Sequence, residues 1–129
     1  MINCMIVGLG GFAGAVLRYL VGLVPLGAQN GFPFKTLLIN IAGSFAIGLV
    51  VAAGIKKEWN PKLVLFLKTG ICGGFTTFSS FALETSQLAQ RGTPFLAALY
   101  IALSLIGGLA AVYAGLCVGR VSRVFYFFG

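Results

Sequence analysis

Gly73-Gly74-Phe75-Thr76-Thr77-Phe78-Ser79-Ser80-Phe81 is the segment that most constrains the structure of this chain. It lies inside an apolar run long enough to cross a membrane, yet it holds two adjacent glycines and four hydroxyl residues. These are weak helix formers, and a backbone in hydrocarbon must satisfy its own hydrogen bonds. The three phenylalanines recur at every third position, which predicts one shared helical face. Because lipid does not tolerate such a segment, we expect it to break its helix and to line a cavity or bind an ion.

The composition around this segment is that of a membrane protein. Hydrophobic residues make up 59% of the 129 positions, charged residues make up 9%, and the mean hydropathy is +1.03. An average soluble domain has about 25% charged residues, and each membrane span needs about 20 apolar residues. We therefore predict an all-α membrane protein with one domain over residues 1–129. Its four spans are expected at about 2–24, 36–55, 63–89 and 94–118, with the third span broken.

The net charge of +7 indicates contact with a membrane surface and does not indicate nucleic acid. The basic residues lie between and beside the apolar runs, where contacts with anionic headgroups and topology signals are found. With the N-terminus in the cytoplasm, that side carries Lys56, Lys57, Lys62, Arg120 and Arg123, against Lys35 and Arg91 on the other side. This bias favours a single orientation.

Composition also excludes several kinds of chemistry. The chain has no histidine, and Cys4, Cys72 and Cys117 are widely spaced among apolar neighbours. Metal sites with histidine ligands, histidine acid/base catalysis, a disulfide framework and a CxxC metal site are therefore not expected. The residues Gly8-Leu9-Gly10-Gly11-Phe12-Ala13 fit the dinucleotide fingerprint, but the ribose carboxylate that belongs about 20 residues further on is missing. We predict neither an enzyme nor a nucleotide site.

Polar side chains recur at helical spacing on two other spans. Thr36, Asn40 and Ser44 fall four residues apart in the second span, and Tyr100 and Ser104 do the same in the fourth. A lone serine or threonine usually bonds to its own helix. The amide of Asn40 has two donors and an acceptor that must be satisfied in hydrocarbon, so we predict a function or an interhelical contact for it.

The available donors suit a small anion, because they are hydroxyls, one amide and the positive edges of aromatic rings. Phe78 and Phe81 presented edge-on can stabilise such an ion, although core packing is the commoner role of phenylalanine. Glu84, one turn beyond Phe81, is placed either near a mouth of the path or in an interhelical hydrogen bond. Arg18 either snorkels or binds polar groups at a helix contact.

These residues carry a resemblance to a known family. Three segments resemble the signatures of the Fluc (CrcB) fluoride channel family: Gly10-Gly11-Phe12-Ala13-Gly14-Ala15-Val16-Leu17-Arg18-Tyr19, Thr36-Leu37-Leu38-Ile39-Asn40-Ile41-Ala42-Gly43-Ser44, and the glycine–phenylalanine segment quoted first. The resemblance spans nearly the whole chain. It implies an antiparallel, dual-topology homodimer in the bacterial inner membrane with two separate fluoride paths. Fluoride would leave the cytoplasm passively through them.

The resemblance also implies roles for individual residues. A sodium ion would lie at the centre of the dimer, held by the backbone carbonyls of Gly73 and Thr76. Glu84 would lie near the point where the ion enters, and Arg18 would be structural. The residues implied to line the fluoride path are Phe78, Phe81, Asn40, Ser80, Thr36, Tyr100 and Ser104.

Two positions depart from the family pattern. Ser80 stands where threonine is common in the family, so the hydroxyl is kept. Gly108 stands where a hydroxyl is common, which predicts that the row of polar groups along the fluoride path is shorter or wetter here. The dual topology implied by the resemblance also disagrees with the lysine and arginine bias.

Two other classes of protein remain as alternatives. The first is a small exporter of the multidrug type, which the lack of a central carboxylate in the first span disfavours. The second is a structural subunit of a larger membrane complex, which the polar stripes disfavour.

Overall fold

The computed structural model describes residues 1–27 and 31–121, and all regular structure within them is helical. The elements in chain order are α1 (Ile2–Leu23), α2 (Phe34–Lys56), α3 (Pro61–Leu65), a π-helix (Phe66–Cys72), α4 (Gly73–Phe75), α5 (Phe78–Gln90) and α6 (Pro94–Val121). The predicted all-helical architecture with an interrupted third span is confirmed. Four segments are long and apolar enough to cross a membrane: Ile2–Leu23, Phe34–Lys56, Pro61–Gln90 and Pro94–Arg120. Residues 28–30, between the first two predicted spans, and the residues beyond 121, which include Arg123 of the predicted charge bias, lie outside the described residues.

Glycines bring α1 against the third span at very short range. A Cβ added at Gly10 would lie 2.6 Å from the Phe66 carbonyl oxygen and 2.8 Å from the Gly70 Cα. Gly74 approaches the backbone of Gly11 in the same way. Small residues four positions apart, such as Gly10 and Gly14 or Gly70 and Gly74, predict either packing inside the chain or contact with a second copy. The structure uses them inside the chain.

A second set of small residues packs α2 against α6. Added Cβ atoms at Gly48 and Gly115 would meet the backbone of the facing helix, and one at Gly119 would lie 2.5 Å from the Ala52 Cβ. Such close approach provides van der Waals contact where lipid gives no hydrophobic drive for helices to associate. Gly43 of α2 faces the Thr76 side chain, which any added Cβ there would meet, so α2 and the third span also lie side by side.

The third span is interrupted in two ways. The π-helix Phe66–Cys72 widens it, and after α4 the backbone becomes extended at Thr76 (ψ 156°) and Thr77 (φ −148°, ψ 113°). The prediction that three phenylalanines share one helical face is therefore wrong for Phe75, which lies before the break. Helical spacing relates only Phe78 and Phe81.

The buried core lies where α5, α6 and the start of α2 meet. Its centre is Tyr100, which is fully buried, with Leu88 and Leu37 beside it. Large apolar side chains such as Ile106 are instead exposed on the outside, as expected for helices that face lipid. The segment Gly8 to Ala13 lies within α1, so the dinucleotide interpretation has no strand to support it there.

Candidate functional site

The amide of Asn40 binds the backbone at the break in the third span. Its Nδ2 donates to the Thr77 carbonyl oxygen at 3.0 Å, and the Thr77 N–H donates to its Oδ1 at 2.7 Å. One side chain thus satisfies both polar groups of a residue that has left the helix. The interhelical contact predicted for Asn40 is confirmed, while its place in an ion path stays a prediction.

The break also leaves two carbonyls without their helical donors. In a continuous α-helix the Gly73 carbonyl accepts from the Thr77 N–H, and the Thr76 carbonyl accepts from the Ser80 N–H. Here the Thr77 N–H donates to Asn40, and the Ser80 N–H donates to the Thr77 Oγ1 at 3.2 Å. The two carbonyls implied as sodium ligands are thus among those that the break deprives of a helical donor. Carbonyl oxygens are ligands that hard cations accept.

Thr77 is the hub of a hydroxyl cluster at the start of α5. Its Oγ1 caps the helix through the Ser80 N–H, donates to the Ser80 Oγ at 3.1 Å and lies 3.3 Å from the Ser79 Oγ. Sequence reasoning gave Thr77 no role. The signal was present, because threonine three residues before Ser80 at a helix start is a typical N-cap. Thr76 behaves differently, since its hydroxyl bonds back to the Cys72 carbonyl at 3.0 Å.

A row of aromatic rings runs from the break into the core. The ring centroids of Phe78 and Phe81 are 5.5 Å apart, and those of Phe81 and Tyr100 are 5.2 Å apart. Both pairs are tilted, at 53° and 59°, so ring edges rather than stacked faces meet. Phe78 is 77% exposed, whereas Phe81 packs against the core.

Three helices meet at the carboxylate of Glu84. The Thr36 Oγ1 donates to its Oε1 at 2.7 Å, and the Tyr100 hydroxyl donates to its Oε2 at 2.7 Å. Both donors are buried. Two hydroxyls that donate to two oxygens suit an ionised carboxylate, which is an acceptor only. Of the two roles predicted for Glu84, the interhelical hydrogen bond is present.

Ser104 lies one turn after Tyr100 on α6, and its hydroxyl is the exception to this hydrogen bonding. Its Oγ is buried and has no hydrogen-bond partner among the described residues. A buried hydroxyl without a partner needs an explanation such as a water or an ion. Gly108, one turn further, lies beside Ser44, whose Oγ would be 3.6 Å from a Cβ at that position. Arg18 is half-buried on α1 and makes no hydrogen bond with another described residue.

A cavity of about 290 Å³ opens at the surface of the chain, beside the break in the third span. Polar and small residues of α2 form one wall, and the interrupted span forms the other. The residues that line it are Asn40, Gly43, Ser44, Ile47, Cys72, Gly73, Thr76, Thr77 and Phe78. None of them carries a charge. The cavity does not include Ser80, Phe81, Thr36, Tyr100 or Ser104, so the predicted path residues fall into two groups joined by the ring row.

Relatives of this chain are numerous and cover nearly all of it. Fluoride-specific ion channel FluC of Agrobacterium fabrum is 48% identical over 122 residues, which are 93% of this chain and 98% of the relative. FluC of Chlorobium luteolum is 46% identical over 120 residues, 92% of this chain and 93% of the relative. FluC of Chlorobaculum tepidum is 44% identical over 122 residues, 94% and 97% respectively.

A family model agrees with these relatives. The model described as CrcB-like protein, Camphor Resistance (CrcB), matches residues 5–116, which include most of α1, the polar stripe of α2 and the whole interrupted third span. The resemblance that three sequence segments indicated is confirmed by both comparisons. The chain belongs to the CrcB family of membrane proteins.

Proposed function

We propose that this chain transports fluoride as a passive ion channel and catalyses no reaction. Its relatives are named fluoride-specific ion channels, and its site consists of donors that suit a small anion. The observation that carries the proposal is the buried Ser104 hydroxyl, which has no hydrogen-bond partner among the described residues and lies one turn from Tyr100, whose ring lies against Phe81. A hydroxyl in that position can replace part of the hydration shell of an ion that passes the ring row.

The path we propose is lined by groups without formal charge until it reaches Glu84. Asn40, Ser80 and the edges of Phe78 and Phe81 provide partial positive charge at the break. A neutral path binds an anion weakly enough for it to leave, whereas a row of cations would hold it. At Glu84 the carboxylate is already occupied by the Thr36 and Tyr100 hydroxyls. Fluoride leaves the cytoplasm down its electrochemical gradient.

We propose a homodimer because the cavity at the break is polar. In a single chain the cavity and the interrupted backbone would face lipid, which offers no hydrogen bonds to them. A second copy that covers this face would enclose them. The antiparallel arrangement with two paths rests on the family resemblance. The basic residues at one end of the molecule favour a single orientation instead, and those described there are Lys56, Lys57, Lys62 and Arg120.

A structural sodium ion fits the same face. The Gly73 and Thr76 carbonyls have lost the donors that a continuous helix would supply, and Gly73 is exposed. Sodium would hold the broken spans of two copies together. Exchange of sodium for a larger cation during purification should lower both flux and dimer content, and indifference to that exchange would count against the site.

Fluoride efflux from liposomes, read with a fluoride-selective electrode, tests the function. The purified chain should release fluoride and not chloride. Replacing Phe78 or Phe81 by Ile should reduce the rate strongly while the dimer stays intact. Phe95→Ile is the matched control, because Phe95 is as exposed as Phe78 but lies at the start of α6. Release of chloride at the same rate as fluoride would overturn the proposal.

A further inference from the structure

Two cavities flank one ridge of α2 at the end of the molecule where α2 and α6 finish. The first has a volume of about 440 Å³ and lies between α2 and α6. The second has a volume of about 380 Å³ and lies between α2, α3 and the π-helix, with Lys68 in its lining. Val51 and Ile55 line both cavities, and Ile55 is 77% exposed on the ridge between them. Both volumes are in the range of sites that hold organic ligands, and neither cavity includes a residue of the ion path.

Charged groups gather at the rim of the first cavity. Lys56 and Arg120 line it together with Glu58, over an apolar wall that includes Leu116. The Lys56 Nζ donates to the Arg120 carbonyl oxygen at 3.5 Å, which keeps the two basic residues adjacent. An ammonium has three N–H donors, so a phosphate can be added to the contacts that Lys56 already makes. The planar fork of arginine also suits phosphate oxygens.

The position of Glu58 adds a carboxylate to that rim. The N–H of Trp59 donates to the Gly54 carbonyl at 3.0 Å, which closes the C-terminal turn of α2, and Glu58 has φ +49° within it. Glycine is the usual residue at this left-handed position. A glycine would form the same turn without a side chain, whereas Glu58 faces the cavity that holds the two cations. The rim therefore offers a site for a phosphate and, beside it, a site for an ammonium group.

We propose that this pair of cavities binds one phospholipid of the bilayer with an ethanolamine headgroup. The phosphate lies between Lys56 and Arg120, and the ammonium donates to Glu58. One acyl chain follows each cavity, on either side of Ile55. Trp59 lines the second cavity near the headgroup level, where tryptophan is enriched. An anionic glycerol headgroup would leave Glu58 without a cation from the lipid, and a choline headgroup has no N–H to donate.

Native mass spectrometry of the purified full chain tests this proposal. The probes are phosphatidylethanolamine, phosphatidylcholine and phosphatidylglycerol with the same acyl chains. Phosphatidylethanolamine should be retained about threefold to fivefold better than phosphatidylcholine, which is the scale of one exposed ion pair. Glu58→Gln should abolish that preference. The double change Lys56→Gln with Arg120→Gln should weaken binding of all three lipids.

Lys57→Gln and Lys62→Gln are the matched controls, because they remove charge at the same end of the molecule without lining either cavity. They should leave the preference unchanged. Equal losses in these controls would show diffuse attraction to the surface and overturn the proposal, as would tighter binding of phosphatidylglycerol. Glycerophosphoethanolamine, which has no acyl chains, should not compete. Competition by it, or no retained lipid at all, would also overturn the proposal.

Discussion

At the scale of single residues, the site depends on which hydrogen bonds are made and which are left open. The Asn40 side chain bonds both backbone polar groups of Thr77. The Glu84 carboxylate accepts from the hydroxyls of Thr36 and Tyr100. Ser104 is left without a partner among the described residues. The first two groups fix the structure around the break, and an unpaired donor is what a passing anion can use. This difference predicts that a change at Asn40 lowers the stability of the fold, whereas a change at Ser104 lowers fluoride flux without lowering stability.

Ser104→Ala should reduce fluoride flux without destabilising the protein. Removing a buried hydroxyl that has no partner costs no hydrogen bond in the resting fold, so the melting temperature in detergent should stay the same or rise. Losing a hydrogen bond to a charged species costs about 1.5–3 kcal/mol, which corresponds to a flux lower by roughly 10- to 100-fold. Ser86→Ala is the control, since Ser86 is exposed on α5. A normal flux in Ser104→Ala would remove the residue from the path.

Asn40→Leu should destabilise the fold. It leaves the N–H and carbonyl of Thr77 without partners in a partly buried place, at about 1–3 kcal/mol for each group. Thermal unfolding in detergent measures the loss. Ser44→Ala, one turn further along α2, serves as the comparison and should change stability little. If Asn40→Leu melted at the wild-type temperature, the break would not depend on the amide.

At the scale of helices, close packing through glycines keeps the third span in the bundle although its helix is interrupted. Gly10 and Gly70 bring backbones into contact on one side, and Gly115 does so between α2 and α6. The break itself lies between Gly14 of α1, which meets the Phe75 backbone, and Gly43 of α2, which meets the Thr76 side chain. The role of an individual glycine therefore depends on what faces it.

Two glycines on α1 separate packing from helix propensity. Gly10→Ala places a Cβ 2.6–2.8 Å from backbone atoms of the third span, so it should lower the melting temperature clearly. Gly8→Ala meets nothing within 4 Å and gains helix propensity of about 1 kcal/mol, so it should be neutral or stabilising. Circular dichroism during heating gives both values. Equal effects of the two changes would contradict the packing we describe.

The sequence predicts these elements better than it predicts how they meet. Span lengths follow from runs of apolar residues, and the break follows from Gly73-Gly74 with its hydroxyl neighbours. The π-helix Phe66–Cys72 leaves no such signal, because neither its apolar residues nor Lys68 and Thr69 distinguish it from an ordinary α-helical turn. The contact of Thr36 and Tyr100 with Glu84 depends on the rotation of three helices, which packing decides. The shared face predicted for Phe75 is wrong because the break falls between Phe75 and Phe78, and residue spacing does not show where in the segment the helix stops.

At the scale of the whole molecule, the polar face at the break is the surface that a single chain in lipid leaves uncovered. Its cavity is lined by uncharged polar residues, and two of the backbone carbonyls there have lost their helical donors. Lipid cannot satisfy such groups. The two cavities proposed to bind phospholipid lie elsewhere, at the basic end of α2 and α6, so the proposed dimer face and the proposed lipid site are separate surfaces.

Gly73→Ala tests whether a second copy covers the break. A Cβ at Gly73 meets nothing within 4 Å of its own chain, and alanine is a better helix former than glycine, so the single chain should fold as before. If Gly73 lies at the dimer centre, the added methyl group enters the space of the partner and of the proposed sodium ion. Dimer content, measured by the subunit-mixing of fluorescently labelled chains in liposomes, should then fall together with fluoride flux. Gly8→Ala, which is also free of close neighbours, provides the matched control and should do neither. A Gly73→Ala chain that forms dimers and conducts at the wild-type rate would place the partner, and the sodium ion with it, on another face.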